Sequence, residues 1–188
     1  MVQIDNTINV LLDADFDYNK VDTYLPGLLG WTKYYGIFDG NNHTISNVTR
    51  SDTGYEVITP QNFGTIKNVH VKNISDKCYG GKHTRQGIVC GDNYGIVENC
   101  SVESAVIETV AQKENSNYGK VMEYGALVGG NFGTIRGCFA SDITFDGAGV
   151  TWPLAHELPY STIENTYYEA EVESGDAAKT AEQFASGE

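Results

Sequence analysis

Asp13, Asp15, Asp17 and Asn19 stand at the odd-number spacing of a calcium loop, in which alternating oxygen ligands wrap one cation. Tyr18 sits where such a loop needs glycine, and Tyr24 where it needs a bidentate glutamate, so the EF-hand geometry fails. The same period-2 spacing puts three carboxylates on one face of a strand, and a solvated edge face is the expected arrangement. His43, His70, His83 and His156 have no metal-ligand spacing. The chain carries no GxSxG, HExxH, P-loop or Cys-x-x-Cys, the short motifs that mark hydrolytic, phosphate-binding and redox sites. Glu98, Glu103 and Arg136 read as solvated strand positions. The reading therefore assigns no catalytic residue, no cofactor and no metal.

The elements that would position any site are repeats. Gly125 to Cys138, GALVGGNFGTIRGC, and Gly87 to Cys100, GIVCGDNYGIVENC, coincide without a gap at Gly87/Gly125, Val89/Leu127, Gly91/Gly129, Asn93/Asn131, Tyr94/Phe132, Gly95/Gly133 and Cys100/Cys138. Weaker copies run from Gln61 to Val69, from Gly36 to Val48 and from Thr162 to Thr166. Their Thr-Ile anchors begin at Thr44, Thr65, Ile96, Thr134 and Thr162 at irregular intervals. A short constant core with irregular spacing means rungs with insertions, and no stretch sustains the 3.6-residue apolar spacing of a helix. Each core is a strand pair broken by Asn-aromatic-Gly, where Asn and Gly tolerate a left-handed corner. One such coil cannot bury its own apolar face, but parallel coils stacked about 4.8 Å apart share a core.

The expected fold is all-β: a parallel β-helix, or β-solenoid, of about five irregular coils, right-handed by the general crossover preference. Residues 1–35 form its N-terminal cap, 36–168 its coils, and 169–188 an acidic tail that ends in a short helix capped by Thr180. Insertions are expected at 51–60, 75–86, 111–122 and 147–160. Ile45, Ile66, Val97, Ile135 and Ile163 are expected in one inward column, and Phe63, Tyr94 and Phe132 in an aromatic stack. Asn42, Asn62, Asn93 and Asn131 recur at one corner, and Asn47, Asn68, Asn99 and Asn165 at another. Cys90, Cys100 and Cys138 point into the core, with a disulfide between Cys100 and Cys138 sterically allowed. Cys78, in an insertion, is the expected exposed thiol.

These motifs resemble the GLUG repeat, roughly G-L-V-G-x-N-x-G-T-I-x-N-C. It occurs in bacterial surface and secreted proteins, including filamentous-haemagglutinin-like adhesins and the N-terminal region of some IgA1-type metallopeptidases. Leu12-Asp13-Ala14-Asp15-Phe16-Asp17, Gly30-Trp31 and Gly36 to Ile45 resemble the family's opening. Asn42 stands where the family usually has Gly, and Gly137 where it usually has Asn. The resemblance covers most of the chain. It implies a non-catalytic, adhesin-like or stalk module, extracellular or on the bacterial cell surface, whose partner is a host glycan or a host surface or matrix protein. Two other readings stand beside it: a fragment of a carbohydrate-active β-helix enzyme, and the non-catalytic N-terminal region of an IgA1-type peptidase.

The 188 residues suit one domain of ordinary size, and 21 glycines fit many corners. The net charge of −13 repels phosphate, so nucleic acid and anionic membranes are poor partners. No apolar run is long enough to span a membrane, and no basic-plus-apolar leader opens the chain. The expectation is a monomer, or a piece of a larger multidomain protein. Because coil residues are committed to stacking, ligand contacts are expected on the inserted loops. Trp31, Tyr34 and Tyr35 in loop 24–35, and Trp152 and Tyr160 in loop 147–160, are the candidates, since aromatic anchors concentrate binding energy.

Overall fold

The computed structural model describes residues 6–20, 27–30, 33–50, 56–79, 85–110, 123–147, 149–169, 178–180 and 183. Every strand pairing among them is parallel. The molecule is a parallel β-solenoid with three walls. The front wall stacks Lys33–Tyr34, Thr59–Asn62, Cys90–Asn93, Val128–Asn131 and Ala155–Glu157. The side wall stacks Arg85–Gly87, Glu123–Gly125 and Val150–Trp152. The long wall bends. Its near part carries Thr65, Ile96–Glu98, Thr134–Arg136 and Thr162–Glu164 in register, and its far part carries Ser101–Val110, Phe139–Gly147 and Tyr167–Glu169. In the first two coils Ile37–Arg50 and Thr65–Tyr79 run unbroken across both parts.

The repeat motif covers only the front wall and the near part of the long wall. Stretches without the motif look like insertions in the sequence, but the structure makes much of them wall. Residues 75–79 continue the long strand, Arg85–Gly87 and Val150–Trp152 build the side wall, and Ala155–Glu157 closes the front wall. Thr59 and Pro60 likewise belong to the front wall, and of those insertions residues 51–55, 80–84, 111–122 and 148 lie outside the described residues. Coil pairing also begins inside the expected cap: Val10–Leu11 pairs with Phe38–Asp39, and Phe16–Asp17 with Ile45–Ser46. At the other end Ala178–Lys179 adds a rung against Tyr168–Glu169 within the expected tail. Thr180 Oγ1 accepts the Gln183 amide at 3.3 Å while Gln183 Oε1 accepts the Thr180 amide at 2.7 Å, the reciprocal exchange of a capping box.

The first repeat is out of phase with the sequence alignment. Phe38, not Ile45, stands below Ile66, Val97, Ile135 and Ile163 in the inward column. Ile45 belongs to the next column, below Val71, Val102 and Ala140. Gly36-Ile37-Phe38-Asp39 and His43-Thr44-Ile45-Ser46 both read as Gly/polar-Thr/Ile-apolar-polar, so the motif fits in two phases. The aromatic-Gly corner decides: Tyr35-Gly36 takes the place of Phe63-Gly64.

The Asn corners separate into three columns. Asn62, Asn93 and Asn131 are fully buried. Asn62 Nδ2 donates to Asn93 Oδ1 at 2.8 Å, and Asn93 Nδ2 to Asn131 Oδ1 at 2.9 Å. Each Oδ1 also accepts the amide of the glycine two residues on, so the buried amides are satisfied. Asn42 is exposed and outside this ladder; Tyr34 pairs with Asn62 in its place. Asn68, Asn99, Gly137 and Asn165 form a second column, every member at φ between 46° and 62°. Gly137 replaces Asn there because both residues accept left-handed backbone. Asn47 stands instead with Asn73, Ser104 and Asp142, at φ between 53° and 60°.

All four cysteines are free and buried. Cys78 faces the core in the long strand and is fully buried, which overturns its expected exposure. Burial pushes its thiol far above the ordinary range.

Candidate binding surface

The polar residues with chemical potential are taken up by the architecture. Asp15 accepts the Thr44 amide at 2.9 Å and faces His43 Nδ1 at 3.3 Å. Asp17 accepts Asn47 Nδ2 at 2.8 Å and the Asn19 amide at 3.0 Å. Both carboxyls are held below the usual range, Asp15 chiefly by the Thr44 amide and Asp17 chiefly by Asn47. They tie the first rung to the coil above it.

One contact that sequence reading missed has the look of a nucleophile and its base. His70 Nδ1 lies 2.8 Å from Ser101 Oγ, within the reach of such a pair. Ser101 is fully buried, and its hydroxyl donates to Glu103 Oε1 at 3.2 Å. A nucleophile must reach its substrate, and Ser101 is closed off inside the wall. The pair joins neighbouring coils, since His70 and Ser101 are register partners.

The outer charges of the near long wall form an alternating column. Asp39, Lys67, Glu98, Arg136 and Glu164 follow one another coil by coil. Lys67 lies 3.2 Å from Asp39, and Arg136 Nε donates to Glu98 Oε2 at 2.8 Å. Opposite charges on adjacent strands are mildly stabilising.

Beside that column lies a lane of different character. Tyr35, Phe63, Tyr94 and Phe132 stack with centroids 5.1, 4.5 and 4.5 Å apart. The expected stack is thus present and gains Tyr35, which the sequence reading had placed in a loop. Because the rings stack from coil to coil, their edges face outward; Tyr94 is 40% exposed. Two residues along the chain, Ile37, Thr65, Ile96, Thr134 and Thr162 form a parallel outward column. Between the two runs a line of glycines. A Cβ on Gly95 would come 2.0 Å from the Gly64 carbonyl oxygen below it, so the floor has no side chains.

Charges from the side and front walls border the ring side. Arg85 Nε donates to Asp92 Oδ1 at 2.8 Å, and its guanidinium carbon stands 5.1 Å from the Phe132 centroid. Gly130 makes room for this bridge, since a Cβ there would meet Arg85 Nε at 2.6 Å. Lys33 Nζ stands 5.2 Å from the Phe63 centroid.

The sequence-predicted contact residues do not converge. Trp31 lies outside the described residues. Tyr34 is 1% exposed, and its hydroxyl donates to the Ile8 carbonyl at 2.9 Å; burial pushes its pKa up to about 12. It cannot offer a face to a ligand, because the core claims the ring. Tyr35 is 50% exposed at the first end of the aromatic stack. Trp152 is half-buried in the last side-wall strand and stacks on His156 with centroids 4.7 Å apart, while His156 Nδ1 lies 2.7 Å from Glu123 Oε2. Tyr160 is fully exposed, at φ 71°. Tyr35 and Trp152 belong to coils four rungs apart, roughly 19 Å along the axis, so the two ends are not one compact pocket.

No family model, no curated protein and no solved structure matches the chain. Among the described residues, no helix is long and apolar enough to cross a membrane.

Proposed function

We propose that this chain is a non-catalytic binding or stalk module of a bacterial surface or secreted protein, as its resemblance to the GLUG repeat implies. The observation that carries this reading is the wiring of its reactive side chains. Ser101 is fully buried, and its contact with His70 joins two register partners on neighbouring coils. Glu98 and Asp92 each pair with an arginine, and Glu123 contacts His156 Nδ1, on a neighbouring strand or coil. Side chains so engaged serve stacking, and what remains toward solvent suits contact better than chemistry. A solenoid that repeats one outward lane over several coils is also a rigid spacer.

The test is a screen of the domain against glycans and host matrix proteins, run beside an assay for release of reducing ends from polysaccharides. Retention of at least one ligand with no cleavage is expected. Reducing-end release that disappears in Glu98→Gln or Asp92→Asn would replace this reading with the carbohydrate-active enzyme fragment.

A further inference from the structure

We infer that the glycine-floored lane on the front corner binds a neutral, extended polysaccharide whose chain runs parallel to the solenoid axis. This inference rests on the binding-module reading and specifies its ligand class and site. The lane has two raised margins, Phe63, Tyr94 and Phe132 on one side and Thr65, Ile96 and Thr134 on the other. Its floor carries no side chains, so a flat ligand can lie against backbone. Aromatic edges are the positive part of the ring quadrupole, and they suit hydroxyl oxygens. Ile96 offers an apolar contact, and the Thr65 and Thr134 hydroxyls both donate and accept. The combination of apolar faces and neutral hydrogen-bonding groups is that of a sugar ring.

Charge selects the class of polymer. On the outer margin Asp39 is paired with Lys67, and Glu98 with Arg136. On the inner margin Arg85 is paired with Asp92. The lane between them holds no charged side chain; Lys33, over the Phe63 ring, adds a cation at its first end, which does not match a polyanion whose charge repeats coil by coil. A net charge of −13 opposes a polyanion further. Repetition selects the shape: equivalent groups recur once per coil, about every 4.8 Å, which rewards a ligand built from repeated units. It also accounts for a contact surface spread from coil one to coil five, which no small molecule would span.

The experiment measures retention of the full chain on cellulose, chitin and mannan, with alginate and heparin as anionic controls, at low and high salt. Retention on at least one neutral polysaccharide, unchanged by salt, is expected. Ile96→Glu places a charge in the lane without touching the core and should weaken that retention about tenfold or more. Thr134→Glu is the second variant, for use if the first lowers the melting temperature. Val106→Glu, on an exposed position outside the lane, should bind like the parent. Unaltered retention of both lane variants, or retention confined to alginate and heparin and lost in salt, overturns the inference. A domain that holds a matrix protein but no polysaccharide also overturns it and leaves the binding-module reading standing. A domain that holds neither overturns both.

Discussion

The backbone amide of Cys100 donates to the sulfur of Cys138, one coil above it, at 3.4 Å. One coil further on, Thr166 Oγ1 accepts the Cys138 amide at 3.3 Å. The Cys100 sulfur in turn faces the Val69 amide, and burial raises its thiol well above the usual range. The cysteines are thus acceptors for buried amides that the corner leaves out of the strand ladder, a stricter role than core filling. Cys138→Val keeps the volume but orphans the Cys100 amide, which should cost about 1–3 kcal/mol. Cys138→Thr supplies the oxygen that Thr166 already provides and should cost less. Urea unfolding of both variants decides; a Val variant as stable as the Thr variant would reduce the sulfur to packing.

The Asn columns separate by burial, and the corresponding substitutions should separate as well. Asn93→Ala removes bonds to Asn62, Asn131, Gly95 and the Thr134 carbonyl in a fully buried corner. Leaving such groups unpaired should cost about 3 kcal/mol. Asn99 is exposed, with φ 52° and a single long side-chain bond to Asn68. Asn99→Gly keeps the left-handed backbone, as Gly137 does next door, and should change stability by about 0.5 kcal/mol or less. Equal losses in the two variants would contradict the three-column assignment.

What was legible in the sequence is what repeats. Asn93-Tyr94-Gly95 and Asn131-Phe132-Gly133 gave the buried ladder, the ring stack and the parallel stacking, because those residues do the same job in each coil. The phase of the first coil was not legible. Tyr34 replaces Asn at the end of the ladder, and Tyr35 and Ile37–Phe38 satisfy the motif only loosely. The side wall was invisible because Gln86, Tyr124 and Thr151 share a register position without sharing a residue type. Aromatic character alone cannot tell a buried Tyr34 from a solvated Tyr160. The lane itself was half visible, as the ring stack; its Ile/Thr margin had been read only as repeat anchors.

The corrected inward column carries its own expectation. Ile66 and Ile135 are fully buried among Phe38, Val97 and Ile163. Ile66→Asp or Ile135→Asp would bury an unpaired charge and should abolish the folded state, seen as loss of the β-type circular dichroism and of a thermal transition. Phe38→Ala should cost about 3–5 kcal/mol. A cooperative, unshifted melt in either Asp variant would remove the register described for this column.

The pH dependence of stability should turn on Glu56. Its side chain is buried against Gly91, where an added Cβ would come 2.5 Å from Glu56 Oε1. Desolvation pushes its pKa up from 4.5 to about 8, with Asp76 and Asp92 adding to the rise and Arg50 opposing it. An acid whose folded pKa is raised is held protonated by the native state. Its contribution is therefore fully present below about pH 4.5, declines as the unfolded chain ionises, and is gone above about pH 8. The slope inside that window approaches about 1.4 kcal/mol per pH unit for one proton. Asp15, Asp17 and Asp39 act in the opposite direction and elsewhere: their lowered pKa values withdraw stability only as pH falls below about 4. Glu56→Gln keeps the neutral shape and removes the titration. Urea unfolding from pH 5 to pH 9 should show the parent losing stability across the window and the Gln variant nearly flat, with the variant the more stable of the two at pH 9. Parallel curves would mean that Glu56 is ionised in the folded protein, and its buried placement against Gly91 would then be wrong.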